Sequence, residues 1–431
     1  MEIKTYKYPD RAEWDVIQQR TELDVTSLFD TVQAILNDVK TNGDEAVRSY
    51  GEQFDKVRIA DLQVSDDEIN EAESLLSNEL KQAVIVAHRN IKKFHASQQF
   101  EEQKIETMPG VTCWQKAVAI EKVGLYIPGG TAPLFSSVLM LAIPAAIAGC
   151  KEIILFTPPN SEGKAHPAIL YAAKISGVNK IFKAGGIQAI AALTYGTESV
   201  PKVYKIFGPG NQYVVAAKQL VSLKDVAIDM PAGPSEVEII ADDSANPAYI
   251  AADFLSQAEH GEDSQSILVT TSEQLAEAVK KEIAIQLSEL PRRDYIEKSL
   301  SYSSIVILED DDKMIDFTNR YAPEHLIIQT VNYEEISAKI ENAGSIFLGQ
   351  YTPESAGDYA SGTNHTLPTN GFAKMYSGVN LDSFIRKITF QEITPEGLKT
   401  LGPTIEIMAE AESLMAHKNA VSIRLKSLQN D

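Results

Sequence analysis

The side chains with the clearest chemical potential in this sequence are imidazoles that stand beside carboxylates or amides. Gln257 and His260 are three residues apart in a predicted helix, and this spacing places both side chains on one helix face. Glu324 and His325 are adjacent, at the entry to a predicted strand. Carboxylate and imidazole groups can titrate on either side of neutrality once their surroundings shift them, so Glu324 and His325 form a candidate acid–base pair.

A metal site is the second chemical possibility. Asp358 and His365 lie in the polar loop PESAGDYASGTNHTLPTNG, and His417 lies in the predicted helix EAESLMAHKNAV. With Gln257 and His260, these side chains offer imidazole, carboxylate and amide atoms to a divalent metal such as zinc. Each of them also has an ordinary explanation as a satisfied polar side chain. Their spacings are too long for a local metal motif, so only the fold can bring them together.

The segment 121–240 contains the elements that would position a cofactor. Runs of β-branched residues end in glycine and are followed by helical stretches, which predicts parallel βαβ units with right-handed crossovers. Such turns share the carboxyl edge of a sheet, where free N–H groups at helix starts favour an anion. Glycine-rich turns of this kind are Gly129-Gly130, Gly185-Gly186 and Gly208-Pro209-Gly210. None of these turns matches the dinucleotide-binding motif G-x-G-x-x-G. The prediction of a dinucleotide site therefore depends on the arrangement of the strands and turns rather than on a motif.

The flanking segments differ from this one. The alternation of strands and helices resumes after Ser235 and predicts a second α/β layer arrangement. The segment before residue 120 has a mostly helical pattern. From Asn380 onward the sequence reads as helical and loop-like, without an obvious sheet.

Charge and composition exclude several classes of protein. The chain has 431 residues and a formal charge of −21, which argues against a nucleic-acid partner. Residues 121–240 carry a net charge of +2, whereas the segments before and after carry −8 and −15. Two cysteines and an N-terminus without an apolar core predict a cytoplasmic protein. The uncharged stretch Val123–Cys150 holds four glycines and three prolines, so it predicts a strand, a turn and a buried helix, and no membrane partner.

Seven segments carry a family resemblance. They run in order from about residue 123 to 421, and they are VGLYIPGGTAPLFSSVLMLAIPAAIAGC, AGGIQAIAALTYGTESVPKVYKIFGPGN, DMPAGPSEV, LSQAEHGEDSQ, NRYAPEHL, SAGDYASGTNHTLPT and AHKNAV. With them the chain resembles the histidinol dehydrogenases. The resemblance implies NAD-dependent, four-electron oxidation of L-histidinol to L-histidine through a bound histidinal, the last step of histidine biosynthesis. It also implies a homodimer with one zinc ion per subunit and an active site shared between subunits.

The resemblance assigns roles to particular residues of this sequence. The implied catalytic pair is Glu324 and His325. His325 would take the alcohol proton, and Glu324 would activate water for attack on the aldehyde. The implied zinc ligands are Gln257, His260, Asp358 and His417, which with His325 would also contact the substrate. Further substrate contacts are implied at Ser235, His365 and Glu412, and NAD contacts at Tyr126, Gln188 and Asn211.

The resemblance also implies a domain organisation. The fold class is α/β, with two incomplete Rossmann-like parallel-sheet domains and small N-terminal helical and C-terminal tail segments. The expected division is an N-terminal helical arm at 1–21, a first Rossmann-like domain at 22–122 and 235–379, a second, NAD-binding one at 123–234, and a tail domain at 380–431. The tail would supply Glu412 and His417.

Two other functions stay open on the residues. One is an NAD-dependent dehydrogenase of another amino alcohol, such as a sulfonated analogue, on the same scaffold. The other is a non-catalytic metabolite-binding protein, which would not need the water-activating carboxylate of Glu324. Cys113 and Cys150 are not expected to act as covalent nucleophiles, because Cys150 ends a buried apolar helix and hydrate formation makes a thiohemiacetal unnecessary.

Overall fold

The structure is a computed structural model, and it describes residues 3–20, 25–129, 132–230 and 233–430. The chain divides into two compact units. The larger unit holds residues 1–98 and 120–383, and the smaller unit holds residues 99–119 and 384–431.

The strands alternate with helices through most of the larger unit. In chain order they are β1 (Lys4–Lys7), β2 (Lys104–Met108), β3 (Val111–Ala119), β4 (Lys122–Tyr126), β5 (Glu152–Thr157), β6 (Lys180–Lys183), β7 (Lys205–Phe207), β8 (Ala227–Ile228), β9 (Glu236–Ala241), β10 (Gln265–Thr270), β11 (Ser304–Ile307), β12 (His325–Gln329), β13 (Ser345–Leu348) and β14 (Ile385–Ile393).

The helices cover both faces of the sheets. They are α1 (Trp14–Ile17), α2 (Phe29–Tyr50), α3 (Asp66–Leu75), α4 (Asn78–Ala96), α5 (Phe135–Ala148), α6 (Pro167–Ile175), α7 (Gly186–Tyr195), α8 (Gln212–Ser222), α9 (Pro247–Ala258), α10 (Glu273–Leu287), α11 (Arg293–Leu300), α12 (Asp311–Tyr321), α13 (Tyr333–Ser337), α14 (Glu354–Tyr359), α15 (Pro395–Ala411) and α16 (Met415–Asn430). Short 3-10 or π turns lie at Arg11–Glu13, Val25–Leu28, Gly51–Asp55, Phe372–Lys374 and Leu381–Phe384.

Two parallel sheets of the same topology form the larger unit. The six-stranded sheet has the order β1-β11-β10-β9-β12-β13, and the five-stranded sheet has the order β6-β5-β4-β7-β8. All their pairings are parallel. If β1 is set aside and the strands of each sheet are renumbered 1 to 5 along the chain, both sheets have the strand order 3-2-1-4-5. This is the Rossmann order 3-2-1-4-5-6 without its last strand. The predicted fold class, α/β with two incomplete Rossmann-like sheets, is confirmed.

Burial on both faces explains the sequence of the central strands. Every residue of β9, β10 and β12 is buried, as expected for parallel strands that carry helices on both sides. The register places His325 at the start of β12 beside Val237 near the start of β9. The amino ends of these two neighbouring strands therefore lie side by side.

Helices from the first hundred residues pack on the five-stranded sheet. Val32, Leu36 and Val39 of α2 share one apolar core with Leu193 of α7 and Val214 of α8. Helices α3 and α4 contact α6 and α5 in turn. Helix α2 thus packs on the five-stranded sheet and its helices, and α3 and α4 contact helices of the same sheet, although the expected division groups residues 22–122 with 235–379.

The N-terminal arm packs on the six-stranded sheet. Its strand β1 pairs with β11 at the sheet edge, and Trp14 of α1 contacts Phe317 of α12 with ring centroids 5.3 Å apart. The arm was expected to be helical, and the mostly helical pattern before residue 120 also concealed β2 and β3. Strand β1 pairs with β11 and β3 pairs with β14, both far away in the sequence, so local patterns do not show these pairings. Strands β2 and β3 also pair with each other as a local hairpin, which the sequence analysis missed.

The smaller unit contains a three-stranded antiparallel sheet of order β14-β3-β2. Helices α15 and α16 follow β14 and contact each other. The sequence after Asn380 was expected to lack a sheet, and this expectation is wrong. Most residues of β14 are exposed, so its pattern lacks the buried alternation that marks a strand.

Within the described residues, none of the helices combines the length and the apolar character needed to cross a membrane. The buried helix predicted in the uncharged stretch is α5, whose residues from Ser136 to Ala145 are all buried.

Candidate functional site

A cleft runs between the two parallel sheets of the larger unit. The turn after β7, with Gly210 and Asn211, lines one side of it. Ser235, which precedes β9, and His260, which precedes β10, line the other side. The cleft has a volume of about 1170 Å³, slightly above the range typical of a pocket for one small ligand, roughly 300–1,000 Å³. It joins the carboxyl edge of the five-stranded sheet to the amino edge of the six-stranded sheet.

Glu324 and His325 lie at that amino edge, where the chain enters β12. Both side chains are buried, with 5% and 4% of their surface exposed. The backbone of Glu236, on the neighbouring strand, contacts both of them. Its N–H donates to Glu324 Oε2 at 2.9 Å, and its carbonyl oxygen accepts from His325 Nδ1 at 3.1 Å. One residue of β9 thus fixes both members of the candidate pair.

The contact with the Glu236 carbonyl also sets the tautomer of His325. A carbonyl oxygen can only accept, so Nδ1 must carry the hydrogen, and in the neutral ring Nε2 keeps its lone pair. Within the described residues Nε2 is buried and has no hydrogen-bond partner. In its neutral form, the His325 ring therefore presents an unshared proton acceptor at Nε2, as a general base requires.

Three carboxyl groups surround the imidazole of His325. Glu324 Oε2 and Glu354 Oε1 are each 3.7 Å from Nδ1, and Asp358 Oδ1 is 3.5 Å from Nε2. Burial lowers the pKa of His325, but these three carboxyl groups together raise it well above the usual value. Burial raises the pKa of Glu324 to about 8, despite the opposing effects of His325 and the Glu236 N–H. The cluster has more carboxyl groups than cations. A bound cation would lower the pKa values of His325 and Glu324, and so favour the neutral imidazole and the ionised carboxylate.

Candidate metal ligands meet beside this cluster. His260, Glu354 and Asp358 each offer one ligand atom, and these atoms lie within 4.8 Å of one another. His260 Nε2 is 3.8 Å from Asp358 Oδ2. Although 45% of the His260 side chain is exposed, the atoms packed around its ring lower its pKa. A neutral imidazole is the form that binds a metal.

Gln257 supplies a further observation in favour of a metal. The residue lies in the last turn of α9 and its side chain is completely buried. Neither its amide oxygen nor its amide nitrogen has a hydrogen-bond partner within the described residues. A buried amide without partners is costly, and a cation that the oxygen could coordinate would remove part of this cost. The residues present therefore fit a metal ion.

His365 lies next to these groups. Its Nδ1 donates to the carbonyl oxygen of Asp358 at 2.9 Å, so Nε2 accepts from Ser137 Oγ, also at 2.9 Å. The structure thus brings His260, His325 and His365 to Asp358. Of the other predicted substrate contacts, Gln257 lies one helical turn before His260, and Ser235 lines the cleft with His260. The other two predicted substrate contacts, Glu412 and His417, lie in the smaller unit, after α15 and on α16, and both are exposed.

The predicted NAD contacts lie at helix starts on the carboxyl edge of the five-stranded sheet. Tyr126, at the end of β4, accepts the N–H of Gly186 on its hydroxyl oxygen at 3.0 Å. Burial raises the pKa of Tyr126 to about 12, so its hydroxyl stays protonated. Gln188, in the first turn of α7, is buried, and both of its amide atoms lack partners within the described residues. This edge therefore offers a buried donor and acceptor to a ligand.

Asn211 begins α8 by accepting the N–H groups of Tyr213 and Val214 on its side-chain oxygen. Its amide nitrogen remains a donor at the cleft. The turn before it is pinned, because Asp229 accepts the N–H of Gly208 at 2.8 Å and Lys218 donates to the carbonyl of Gly208 at 2.8 Å. Of the other predicted turns, Gly185-Gly186 begins α7, while Gly130 lies outside the described residues.

The two cysteines lie in different surroundings. Cys150 is buried, and burial raises the pKa of its thiol to about 12, which suppresses the thiolate. Cys113 lies on β3 of the smaller unit.

Sequence reasoning did not identify Glu354. Its side chain is buried, and one carboxyl oxygen lacks a hydrogen-bond partner within the described part of the chain. The available signal was its position four residues before Asp358, which places both carboxylates on one face of α14. The backbone role of Glu236 was also missed, and no side-chain pattern could have shown it.

The chain was compared with known proteins. It matches the family model of histidinol dehydrogenase over residues 18–425. A histidinol dehydrogenase of Bacteroides thetaiotaomicron is 64% identical over 427 residues, which cover 99% of this chain and 100% of the relative. A histidinol dehydrogenase of Escherichia coli K12 is 52% identical over 405 residues, covering 94% and 92%.

A solved structure agrees with both relatives. The crystal structure of histidinol dehydrogenase from Elizabethkingia anophelis has a TM-score of 0.98 and 55% sequence identity, and the match covers 99% of each chain. The resemblance noted in the sequence is therefore confirmed over nearly the whole length. The chain belongs to the histidinol dehydrogenase family, whose members are oxidoreductases of histidine biosynthesis.

Proposed function

We propose that this chain oxidises L-histidinol to L-histidine in two NAD-dependent steps, through a bound histidinal. The carrying observation is the buried pair Glu324 and His325, which the backbone of Glu236 holds so that His325 Nε2 is free to accept a proton. Oxidation of an alcohol needs such a base beside the hydroxyl group while the hydride leaves.

In the first step, His325 Nε2 takes the alcohol proton. Bound NAD would be the hydride acceptor. His325 suits this role because its ring is buried and its tautomer is fixed. In the second step, Glu324 draws a proton from water as the water attacks the aldehyde carbon. Protonated His325 returns its proton to the aldehyde oxygen, which completes the hydrate and restores the neutral ring. The hydrate then loses a hydroxyl proton to His325 and its hydride as before. This yields the carboxylic acid, which ionises to the carboxylate of histidine.

We propose Gln257, His260, Asp358 and His417 as the zinc ligands of one site. When bound, zinc would anchor the substrate through its imidazole and amine groups. The orphaned amide of Gln257 and the close approach of His260 to Asp358 support this set. Ser235, His365 and Glu412 would complete the substrate contacts. Glu354 is close enough to join the metal-binding group or to replace a ligand.

We propose Tyr126, Gln188 and Asn211 as the NAD contacts. The helix starts at α7 and α8 direct backbone N–H groups toward the carboxyl edge of their sheet, which suits the pyrophosphate. The near-neutral charge of residues 121–240 is compatible with an anionic cofactor there.

The assembly and the location are also proposals. We propose a homodimer in which the smaller unit of one subunit supplies Glu412 and His417 to the partner's site, and we keep the expected domain boundaries as proposals. The chain has two cysteines, Cys113 and Cys150, and so low a cysteine content supports a reducing compartment such as the cytoplasm.

The test of the reaction is its stoichiometry. Purified protein with histidinol and excess NAD should form two NADH for each histidine, and the His325→Asn variant should form far less of both. One NADH per molecule of substrate, with histidinal as the final product, would contradict the second step. No NADH from histidinol, with turnover of another amino alcohol, would contradict the substrate.

The test of the shared site uses two inactive variants. His325→Asn and His417→Ala subunits are expressed together, so that half of the dimers are mixed. If His417 acts in the partner's site, each mixed dimer has one intact site, and activity should return to about a quarter of the wild-type value. If each subunit uses its own His417, no intact site forms and the mixture stays inactive.

A further inference from the structure

A buried ion pair lies directly behind the catalytic pair. Arg20, near the end of the N-terminal arm, contacts Glu236 through two parallel hydrogen bonds. Nε donates to Oε1 at 2.6 Å and Nη2 donates to Oε2 at 2.9 Å. The side chains are 15% and 3% exposed, so water screens the pair weakly. A bidentate arginine–carboxylate contact fixes direction as well as distance.

The same guanidinium group also holds the chain that leads into the catalytic pair. Nη2 of Arg20 donates to the carbonyl oxygens of Tyr321 and Ala322, at 2.7 and 3.3 Å. Its carbon lies 3.9 Å from the centre of the Tyr321 ring. Ala322 has a positive φ of 55°, a conformation unfavourable for a residue with a side chain, and it ends α12 only two residues before Glu324. A turn of this kind needs contacts that keep it in place.

Arg20 therefore joins the two backbone segments on which the pair depends. One segment is the start of β9, where Glu236 gives its N–H to Glu324 and its carbonyl oxygen to His325. The other is the turn at Tyr321 and Ala322, from which the pair extends. The arrangement is reinforced by the N–H of Asn370, which donates to Glu236 Oε1 at 2.6 Å.

We propose that Arg20 is a positioning residue for the reaction, and that it aligns Glu324 and His325 through Glu236 and the 321–322 turn. This inference rests on the proposed roles of Glu324 and His325. It gives the N-terminal arm a part in catalysis although none of the arm's described residues, 3–20, lines the cleft. We call the contacts of Arg20 with Glu236, Tyr321 and Ala322 the clamp. Because Glu236 supports both Glu324 and His325, loosening the clamp should slow both oxidation steps by similar factors.

The test compares Arg20→Lys with Arg11→Ala. Lysine keeps the positive charge beside Glu236 but cannot span two carboxylate oxygens and two carbonyl groups at once. Arg11 is a matched control, because it lies on the same arm and pairs with Asp316 of α12 at 3.0 Å, on the exposed surface. Arg20→Met removes the clamp and the charge together.

The measurements are kcat and KM for histidinol and for histidinal, the bound zinc, and the thermal unfolding curve. In Arg20→Lys, kcat should fall roughly 10-fold to 100-fold for both substrates, since a misplacement of about 1 Å can cost as much. KM and zinc content should stay within about twofold, because the clamp contacts neither substrate nor ligands. Arg11→Ala should keep the wild-type kcat. Arg20→Met should be slower than Arg20→Lys, and if it fails to fold, Arg20→Lys carries the test.

The inference is overturned if folded Arg20→Lys keeps kcat within about twofold, or if Arg11→Ala loses kcat to the same extent. It is also overturned if only one of the two steps slows. Failure of the proposed function gives a different result, since wild-type protein would then make no NADH from histidinol or His325→Asn would stay fully active. If the wild-type protein turns over histidinol and the Glu324 and His325 variants are inactive, but the Arg20 variants remain active, then the role of Arg20 is rejected and the proposed function stands.

Discussion

The turn after β7 permits a quantitative test of how the five-stranded sheet holds the cofactor. Gly208 has a φ of 123°, and a Cβ atom added to it would lie 2.0 Å from the backbone oxygen of Tyr126. Real Cβ atoms keep at least 3.0 Å from such neighbours, so alanine at this position must push the turn away from β4 by about 1 Å or more.

Gly177 offers a matched control in the turn between α6 and β6 of the same sheet. Its φ is 83°, but an added Cβ would meet only Ala146 Cβ, at 3.7 Å. Gly177→Ala should therefore lower the free energy of unfolding by about 1–2 kcal/mol, because alanine is forced into a left-handed backbone conformation. Gly208→Ala should add a displacement of the turn that carries Asn211.

The assay is steady-state kinetics with varied NAD, beside thermal unfolding. Gly208→Ala should lower kcat/KM for NAD by about 100-fold, or ~2.7 kcal/mol, because the displacement moves the contacts that orient the cofactor. Gly177→Ala should keep kcat/KM within about twofold while it loses stability. If the two variants show the same kcat/KM for NAD, the turn after β7 does not position the cofactor and the reasoning is refuted.

Three further predictions concern the catalytic cluster, the metal and the thiols. Glu324→Gln should slow histidinal oxidation by about 10²-fold or more and histidinol oxidation much less, whereas His325→Asn should slow both; equal losses in both steps of Glu324→Gln would contradict the division of roles. A chelator should remove zinc and activity together, and Gln257→Ala should weaken zinc binding by at least roughly 10-fold, as measured by metal titration; full activity in metal-free protein would remove zinc from the account. Exchange of Cys113 and Cys150 for serine should leave both oxidation steps intact, and selective loss of the aldehyde step would indicate a thiohemiacetal.

Local patterns in the sequence predict the parts of this fold that depend on neighbours in the chain. The alternation of buried runs and helices predicts both parallel sheets, since the central strands are covered on two faces. The backbone at Gly208 approaches Tyr126 too closely for any side chain, so this turn requires glycine, and that glycine is visible in the sequence. Glu324 and His325 were found because they are adjacent in sequence.

Other parts of the fold depend on distant contacts. Strand β1 pairs with β11 about 300 residues later, and β14 is mostly exposed, so neither has a local signature. At the cleft, the carboxyl edge of the five-stranded sheet meets the amino edge of the six-stranded sheet, and this depends on how the two sheets pack together. Arg20 and Glu236 are 216 positions apart, and nothing in the sequence near either residue shows that they touch.

The hydrogen bonds from the backbone of Glu236 have a consequence for mutagenesis. Every residue except proline has the same N–H and carbonyl groups, so no ordinary substitution at position 236 removes the contacts to Glu324 and His325. An alanine scan would register only the loss of the side-chain contacts to Arg20 and to the N–H of Asn370. Replacement of the peptide N–H by an ester oxygen, through chemical or codon-expanded synthesis, would be needed to measure what the backbone contributes. The support of the catalytic pair is therefore encoded in the path of β9, and it would survive side-chain changes that leave this path intact.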